Sequence, residues 1–442
     1  MGREIPNPLA GLHEMAGAEM QAYDQVQVVS TFGEPEAEYA AIRKGAAVVD
    51  QPQWGVLELT GKDRLAFLNN LLTNQTWDKA SKSGPQAGSG VYAFFLGKNG
   101  RIVADMTVIE RPDRTLLEMD ARLVEPVRAA FDKYLFGEQV KMTDRVDAIR
   151  QIALYGPQAL GILRTASGTG LAEFPLLGSS EIQLYGVPAV VWRDDPCAVP
   201  GYHLLIETSF VERVWTGLLE QFGKAAELGR RPLRPAGWAA FNATRVEAGR
   251  PIFGIDFDDS VLPHETGQIG RAVSFTKGCY LGQEIVARMQ ARGQFARQLV
   301  GIRMSDDSLP IAGAAVYDDN DNQIGGITSS TVSPVLSNVA ICLGFVKKAF
   351  TPVGTVLTIP AEGQMRKGSV SELPFVKGYW VPVSEIIASP MVMVVPVSAA
   401  FEDAAGAAGA EDAKGQDEDH PSGEEHTSNF PKHCFSPLVK YP

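Results

Sequence analysis

The densest chemistry in the sequence lies in Lys277-Gly278-Cys279-Tyr280-Leu281-Gly282-Gln283-Glu284. Glycines on both sides of a thiol and a phenol make a tight loop that approaches a neighbour closely and presents Cys279. A helix is expected to start there, with Gln283 and Glu284 in its first turn, where unpaired amides favour negative charge and lower the pKa of a nearby thiol. A thiolate is both a nucleophile and a soft-metal ligand. The plainer alternative is that Cys279 is a small apolar residue that simply packs.

Around this loop, His264-Glu265 could approach Cys279 and act as its base, or could be an ordinary polar loop. Arg288, Arg292 and Arg297 form a basic group suited to carboxylates, or a solvated helix face with ordinary ion pairs. The four cysteines, at 197, 279, 342 and 434, have no paired spacing, which argues against a disulfide framework or a metal knuckle. The six histidines make no HxH, HxxxH or HExxH pattern, and no metal site is expected.

The elements that must carry these residues alternate irregularly. Glu14 to Asp50 reads as helix, loop and helix, leading to a strand at 46–50. Gly55–Thr60 alternates as a strand, and Arg64–Leu72 repeats apolar groups at helical spacing. Residues 90–96 and 102–109 flank Gly97-Lys98-Asn99-Gly100, a hairpin turn in which Asn-Gly accepts positive φ. Helices are expected at 122–136, 157–167, 209–222 and 235–248, with strands at 148–154, 181–184 and 189–193. From Gln298 strands dominate at the spacing of a small antiparallel barrel. The fold class is therefore α+β, in units 10–145, 146–297 and a β-barrel at 298–395. The acidic segment 401–442 is expected to be a disordered tail.

Composition excludes several function classes. At 442 residues, with 45% hydrophobic and 21% charged residues, the chain matches a multidomain globular protein. No signal peptide or membrane-length apolar run occurs, and Met391–Val397 is short and contains proline, so a cytoplasmic protein with no membrane partner is expected. Eight of the twelve net negative charges fall in 401–428. The remaining body, at −4, gives no electrostatic argument for nucleic-acid binding, which needs clustered Lys and Arg, so direct nucleic-acid binding is not expected.

The stretch Lys277–Glu284 resembles the KGCYxGQE signature of the folate-binding YgfZ/GcvT family, without a mismatch. Arg245-Val246-Glu247-Ala248-Gly249-Arg250-Pro251, Asp256-Phe257-Asp258 and the hairpin at 97–107 resemble that family as well, so the likeness spans roughly residues 10–380. The resemblance implies a three-domain ring with tetrahydrofolate, or a one-carbon derivative, near its centre. Asp105, Arg245, Lys277, Tyr280, Gln283 and Glu284 would then lie at the folate, with Cys279 and Asp105 as the working groups.

Within that family the aminomethyltransferases carry two successive aspartates after the hairpin turn, where this chain has Ala104-Asp105. They carry a glutamate where His203 stands and an arginine where Phe241 stands. These departures, together with Cys279, are similar to the branch that assists iron–sulfur cluster assembly or repair and is linked to tRNA modification. The resulting expectation is a folate-dependent helper of iron–sulfur client or assembly proteins. One cysteine cannot hold a four-iron cluster alone, so a bridging partner or redox chemistry would be required. The alternatives are a tetrahydrofolate-dependent aminomethyl- or methyltransferase relying on Asp105, and a non-catalytic folate-binding scaffold.

Overall fold

The computed structural model describes residues 5–225, 231–293 and 295–376. These belong to one of two compact units. The other, Val381–His433, lies outside the described residues. Outside them too fall the end of the expected barrel domain, the apolar run 391–397, the tail 401–442 and Cys434.

The Asn-Gly hairpin forms as its turn chemistry predicts. Gly90–Leu96 pairs with Ile102–Glu110, and Arg114–Asp120, Trp54–Thr60 and Lys141–Asp144 complete a five-stranded antiparallel sheet. A second sheet of six strands runs Ser179–Leu184, Val187–Arg193, Gly201–Glu207, Ile149–Tyr155, Ala47–Asp50 and Arg234–Pro235. Ala47–Asp50 comes from the N-terminal part of the chain and pairs antiparallel with Ile149–Tyr155, interleaving early and middle sequence in one layer.

The closing strands form a closed six-stranded barrel. Arg297–Met304 pairs with both Val339–Lys347 and Gln364–Ser371, leaving no edge. Its interior holds Ile302, Val316, Ile327, Cys342, Leu357 and Ile359. The fold is thus mixed α+β with a C-terminal antiparallel barrel. Among the described residues, no helix is long and apolar enough to cross a membrane.

One expected element differs. Part of the stretch read as a loop between Glu14 and Glu36 is a hairpin, Glu19–Tyr23 with Val26–Thr31, turning through Asp24 at φ 55°. Aspartate tolerates this left-handed conformation, and Val26, Val28, Val29 and Thr31 bury the second strand.

The helix Trp238–Glu247 is buried along almost its whole length, and it carries two charges inward. Glu247 accepts from Tyr39 Oη at 2.8 Å, from Arg43 and from Ser333 Oγ, joining the helix Pro35–Lys44 to the barrel strand Gln323–Ser333. Arg245 donates to Asp256 Oδ2 at 2.7 Å and to Ser329 Oγ at 2.7 Å. Removing one member of a buried ion pair strands the other, at roughly 3–5 kcal/mol. Glu247→Ala is therefore expected to lower the unfolding free energy by about that amount in denaturant titration, and a loss below about 1 kcal/mol would show that this junction is not structural.

Candidate active site around Asp105

Asp105 sits on the second strand of the Asn-Gly hairpin, and Tyr92 reaches it from the first. The Tyr92 hydroxyl donates to Asp105 Oδ2 at 2.6 Å, while Oδ1 is buried with no hydrogen-bond partner. The Arg271 guanidinium lies 3.9 Å from the centre of the Tyr92 ring and holds it in place. Burial is the main influence on Asp105 and pushes its carboxyl up to about 6, against the pull of Tyr92 and Arg271.

Asp105 lines a cavity of about 70 Å³ together with Thr107, Glu118, Trp192, His203 and Phe241. His203, on Gly201–Glu207, stacks on Trp192 with ring centroids 4.2 Å apart. Tyr155 packs edge-on to His203 and stacks on Phe241 at 5.5 Å. The Gln151 amide nitrogen contacts Gln51 Oε1 at 2.9 Å, Glu118 Oε1 at 3.0 Å and His203 Nδ1 at 3.1 Å.

Burial pushes His203 down to about 4, so its imidazole is neutral at pH 7. Its Nδ1 faces the Gln151 amide nitrogen, and its Nε2 is buried with no partner. Trp192 Nε1 is likewise buried and unpartnered. The pocket thus offers one free carboxylate oxygen, the free indole N–H of Trp192 and an unpartnered imidazole nitrogen between aromatic walls. Asp194 plays another part. Burial opposes its ionisation, but Arg250 and Arg271 outweigh it and hold the carboxyl well below the usual range, so its charge is neutralised locally.

The signature loop lies elsewhere. Lys277, Cys279, Tyr280, Gln283 and Glu284 do not line this cavity. Lys277 is buried, and its ammonium donates to the carbonyls of Asn69, Leu72 and Asn74 at 2.5–2.9 Å. Burial lowers its pKa to about 7, and three carbonyl acceptors work the other way by favouring the ammonium. Asn74 in turn donates to the carbonyls of Tyr92 and Arg271, both at 2.9 Å. Lys277 therefore braces the backbone behind the Tyr92–Arg271 stack.

Gly282, at φ +80°, precedes the helix Gln283–Arg292, where a Cβ would come within 2.9 Å of Gly97 O. The expected helix start is thus present, seated on the hairpin turn. Tyr280 is buried, with the Lys277 ammonium 5.0 Å from its ring centre. Gln283 is half-buried, Glu284 exposed, and Cys279 exposed, whereas Cys197 and Cys342 are buried. His264 faces Gln290 at 3.1 Å, and Arg297 pairs with Glu265. Among the described residues no cluster of three His, Cys, Asp or Glu could hold a metal.

Arg245 lines a different and larger cavity of about 860 Å³, bounded by Tyr23, Arg122, Trp238 and barrel residues. Two of its cations are paired, Arg245 with Asp256 and Arg122 with Asp24 and Asp120. Of the residues read from sequence, Asp105 and the two departures His203 and Phe241 converge. Tyr92, Glu118, Gln151, Trp192, Arg250 and Arg271 were not singled out. Glu118 carries a weak signal, as a charge inside the apolar strand Thr115-Leu116-Leu117-Glu118-Met119.

The GCVT N-terminal domain pattern matches residues 9–277, and that of the glycine cleavage T-protein C-terminal barrel domain matches 297–377. A protein named aminomethyltransferase from Geobacillus sp. (strain WCH70) is 28% identical over 373 residues, covering 84% of this chain and 98% of its own. One of the same name from Moorella thermoacetica (strain ATCC 39073 / JCM 9320) is 29% identical over 370 residues, covering 83% and 96%. The crystal structure of glycine cleavage system aminomethyltransferase T from Bartonella henselae shares the fold, with TM-score 0.74 at 23% identity over 84% of this chain and 98% of that one. The chain belongs to the glycine cleavage T-protein (GcvT) family, with that family's N-terminal domain followed by its C-terminal barrel.

Proposed function

We propose that this protein is a tetrahydrofolate-dependent transferase of an aminomethyl or methyl group, with Asp105 as the carboxylate at the reacting nitrogen. The observation that carries this reading is the buried Asp105, fixed by Tyr92 through one oxygen and unpartnered at the other. Relatives named aminomethyltransferase, matching over most of the chain, favour transfer over the iron–sulfur helper expected from the signature.

The donor set suits a reduced pterin in chemistry. Asp105 Oδ1 can accept an N–H, His203 Nε2 and Trp192 Nε1 can donate to ring acceptors, and Phe241 and Tyr155 supply flat walls. At about 70 Å³ the cavity holds two or so waters, so the aromatic side chains must swing aside for a bicyclic ring to enter. Tetrahydrofolate, when bound, supplies a nucleophilic amine that accepts the one-carbon unit. Asp105 orients that amine and takes up its proton. His203 and Phe241 give the pocket neutral, aromatic surfaces where the aminomethyltransferases carry a charged pair, which favours a less polar donor.

A second reading rests on Cys279, which is exposed on a loop matching the KGCYxGQE signature of the YgfZ-type proteins. In that reading the thiol meets an iron–sulfur client while the folate site is retained.

Calorimetric titration with tetrahydrofolate is expected to show binding by the wild type and at least tenfold weaker binding by Asp105→Ala, given about 1.5–3 kcal/mol for a charged hydrogen bond. Unchanged affinity would remove Asp105 from the site. Cys279→Ala is expected to leave one-carbon transfer intact. If it instead depresses iron–sulfur enzyme activity in cells, the second reading gains the ground.

Stability offers an independent check. The folded pKa of Asp105, about 6, lies above its ordinary value, so the native state binds more protons between about pH 4 and 6 and loses stability as pH rises through that window. Asp105→Asn should therefore stabilise the protein by up to ~3 kcal/mol above pH 6 and by nothing below pH 4. Thermal melts at pH 4 and pH 8 showing equal shifts would contradict this.

A further inference from the structure

Besides Asp105, one carboxyl group lines the pocket without a cationic partner. Asp194 is neutralised by Arg250 and Arg271, whereas Glu118 forms no ion pair and accepts only from neutral groups, with Gln151 Nε2 3.0 Å from Oε1. Glu118 lies directly across from Thr107 in the ladder between Ile102–Glu110 and Arg114–Asp120. Asp105 is two residues from Thr107 on the same face, which makes the two acids diagonal neighbours about 7–8 Å apart between Cα atoms. That spacing leaves room for a reacting group between them. We propose that Glu118 is a second catalytic residue, the proton donor to the leaving group, paired with Asp105 as proton acceptor and positioned by Gln151.

This inference rests on the transferase reading and adds the missing half of its proton balance. Asp105 takes the proton that the attacking nitrogen loses as its lone pair forms the new C–N bond. Glu118 gives its proton to the donor atom as the electron pair of the breaking carbon–donor bond returns there. One proton is taken and one given, so no outside oxidant, reductant or metal is required.

The surroundings set the two acids to opposite tasks at neutral pH. Burial pushes Glu118 up to about 8, with the charges of Asp105 and Asp194 adding to it and the bond from Gln151 opposing. Asp105, at about 6, is mostly ionised at pH 7 while Glu118 is mostly protonated. The other groups lining the pocket fit this division. His203 is neutral, Arg250 and Arg271 are occupied by Asp194, and burial drives the Tyr92 and Tyr155 hydroxyls far above neutrality. Gln51 and Tyr155 complete the frame, since Gln151 Nε2 bonds to Gln51 Oε1 and Gln51 Nε2 donates to the Tyr155 hydroxyl at 2.9 Å.

The test uses the full-length protein as wild type, Glu118→Gln and Glu118→Asp, with Asp105→Asn as control. Infrared difference spectra should show a protonated-carboxyl stretch at pH 7 that disappears through about pH 8. It should be absent in Glu118→Gln and retained in Asp105→Asn. In turnover, the wild-type pH–rate profile should fall on the alkaline side near that value. Glu118→Gln should lose this limb and about 10²–10⁴ of the rate at pH 7 while binding tetrahydrofolate within twofold of wild type. Glu118→Asp should keep a displaced limb. A missing band at pH 7, or an alkaline limb that survives in Glu118→Gln, overturns the role of Glu118 while transfer by the wild type stands. Wild-type protein that binds tetrahydrofolate but transfers no one-carbon unit overturns the transferase reading and the donor role with it.

Discussion

The described structure turns on a helix that carries two opposite charges into the core. Arg245 pairs with Asp256 and Ser329, and Glu247 with Arg43, Tyr39 and Ser333. Buried charges persist only where partners meet them, so these contacts dictate where the helix Pro35–Lys44, the 250–256 loop and the barrel sit against Trp238–Glu247. The same helix presents Phe241 to the Asp105 pocket. The packing constraint and the chemistry therefore share one element.

Desolvation is the common cause at the site. It raises the carboxyls of Asp105 and Glu118 and lowers the imidazole of His203, while Asp194 escapes because two arginines face it. These shifts result from burial acting on ordinary side chains. The aromatic groups that create the low-polarity environment, Trp192, Tyr155 and Phe241, are the ones that hold the cavity small.

The signature loop acts at one remove. Its lysine spends all three ammonium hydrogens on carbonyls of the 69–74 segment, and Asn74 passes that restraint to Tyr92 and Arg271. Gly282 lets the loop seat against the hairpin turn, which carries Asp105 on its second strand. Lys277 and Gly282 thus hold the motif against the backbone behind the pocket, while Cys279 and Glu284 face outward.

Much of the architecture was legible in the sequence because it is encoded locally. The Asn-Gly turn specifies its hairpin, apolar periodicity specifies the helices at 64–71 and 211–222, and the spacing of strands after Gln298 specifies a barrel. Asp105, His203 and Phe241 stood out by comparison with a motif. The hairpin at 19–31 did not, because its turn uses a left-handed aspartate rather than glycine. Nothing local could assign Lys277 to carbonyls some two hundred positions earlier, or Arg245 to Asp256 and a barrel serine. Nor could it bring Glu118, Gln151 and His203 together from separate strands. A side chain's charge state and partners depend on what surrounds it once water is excluded, and only the packing of the sheets, the buried helix and the barrel decides that.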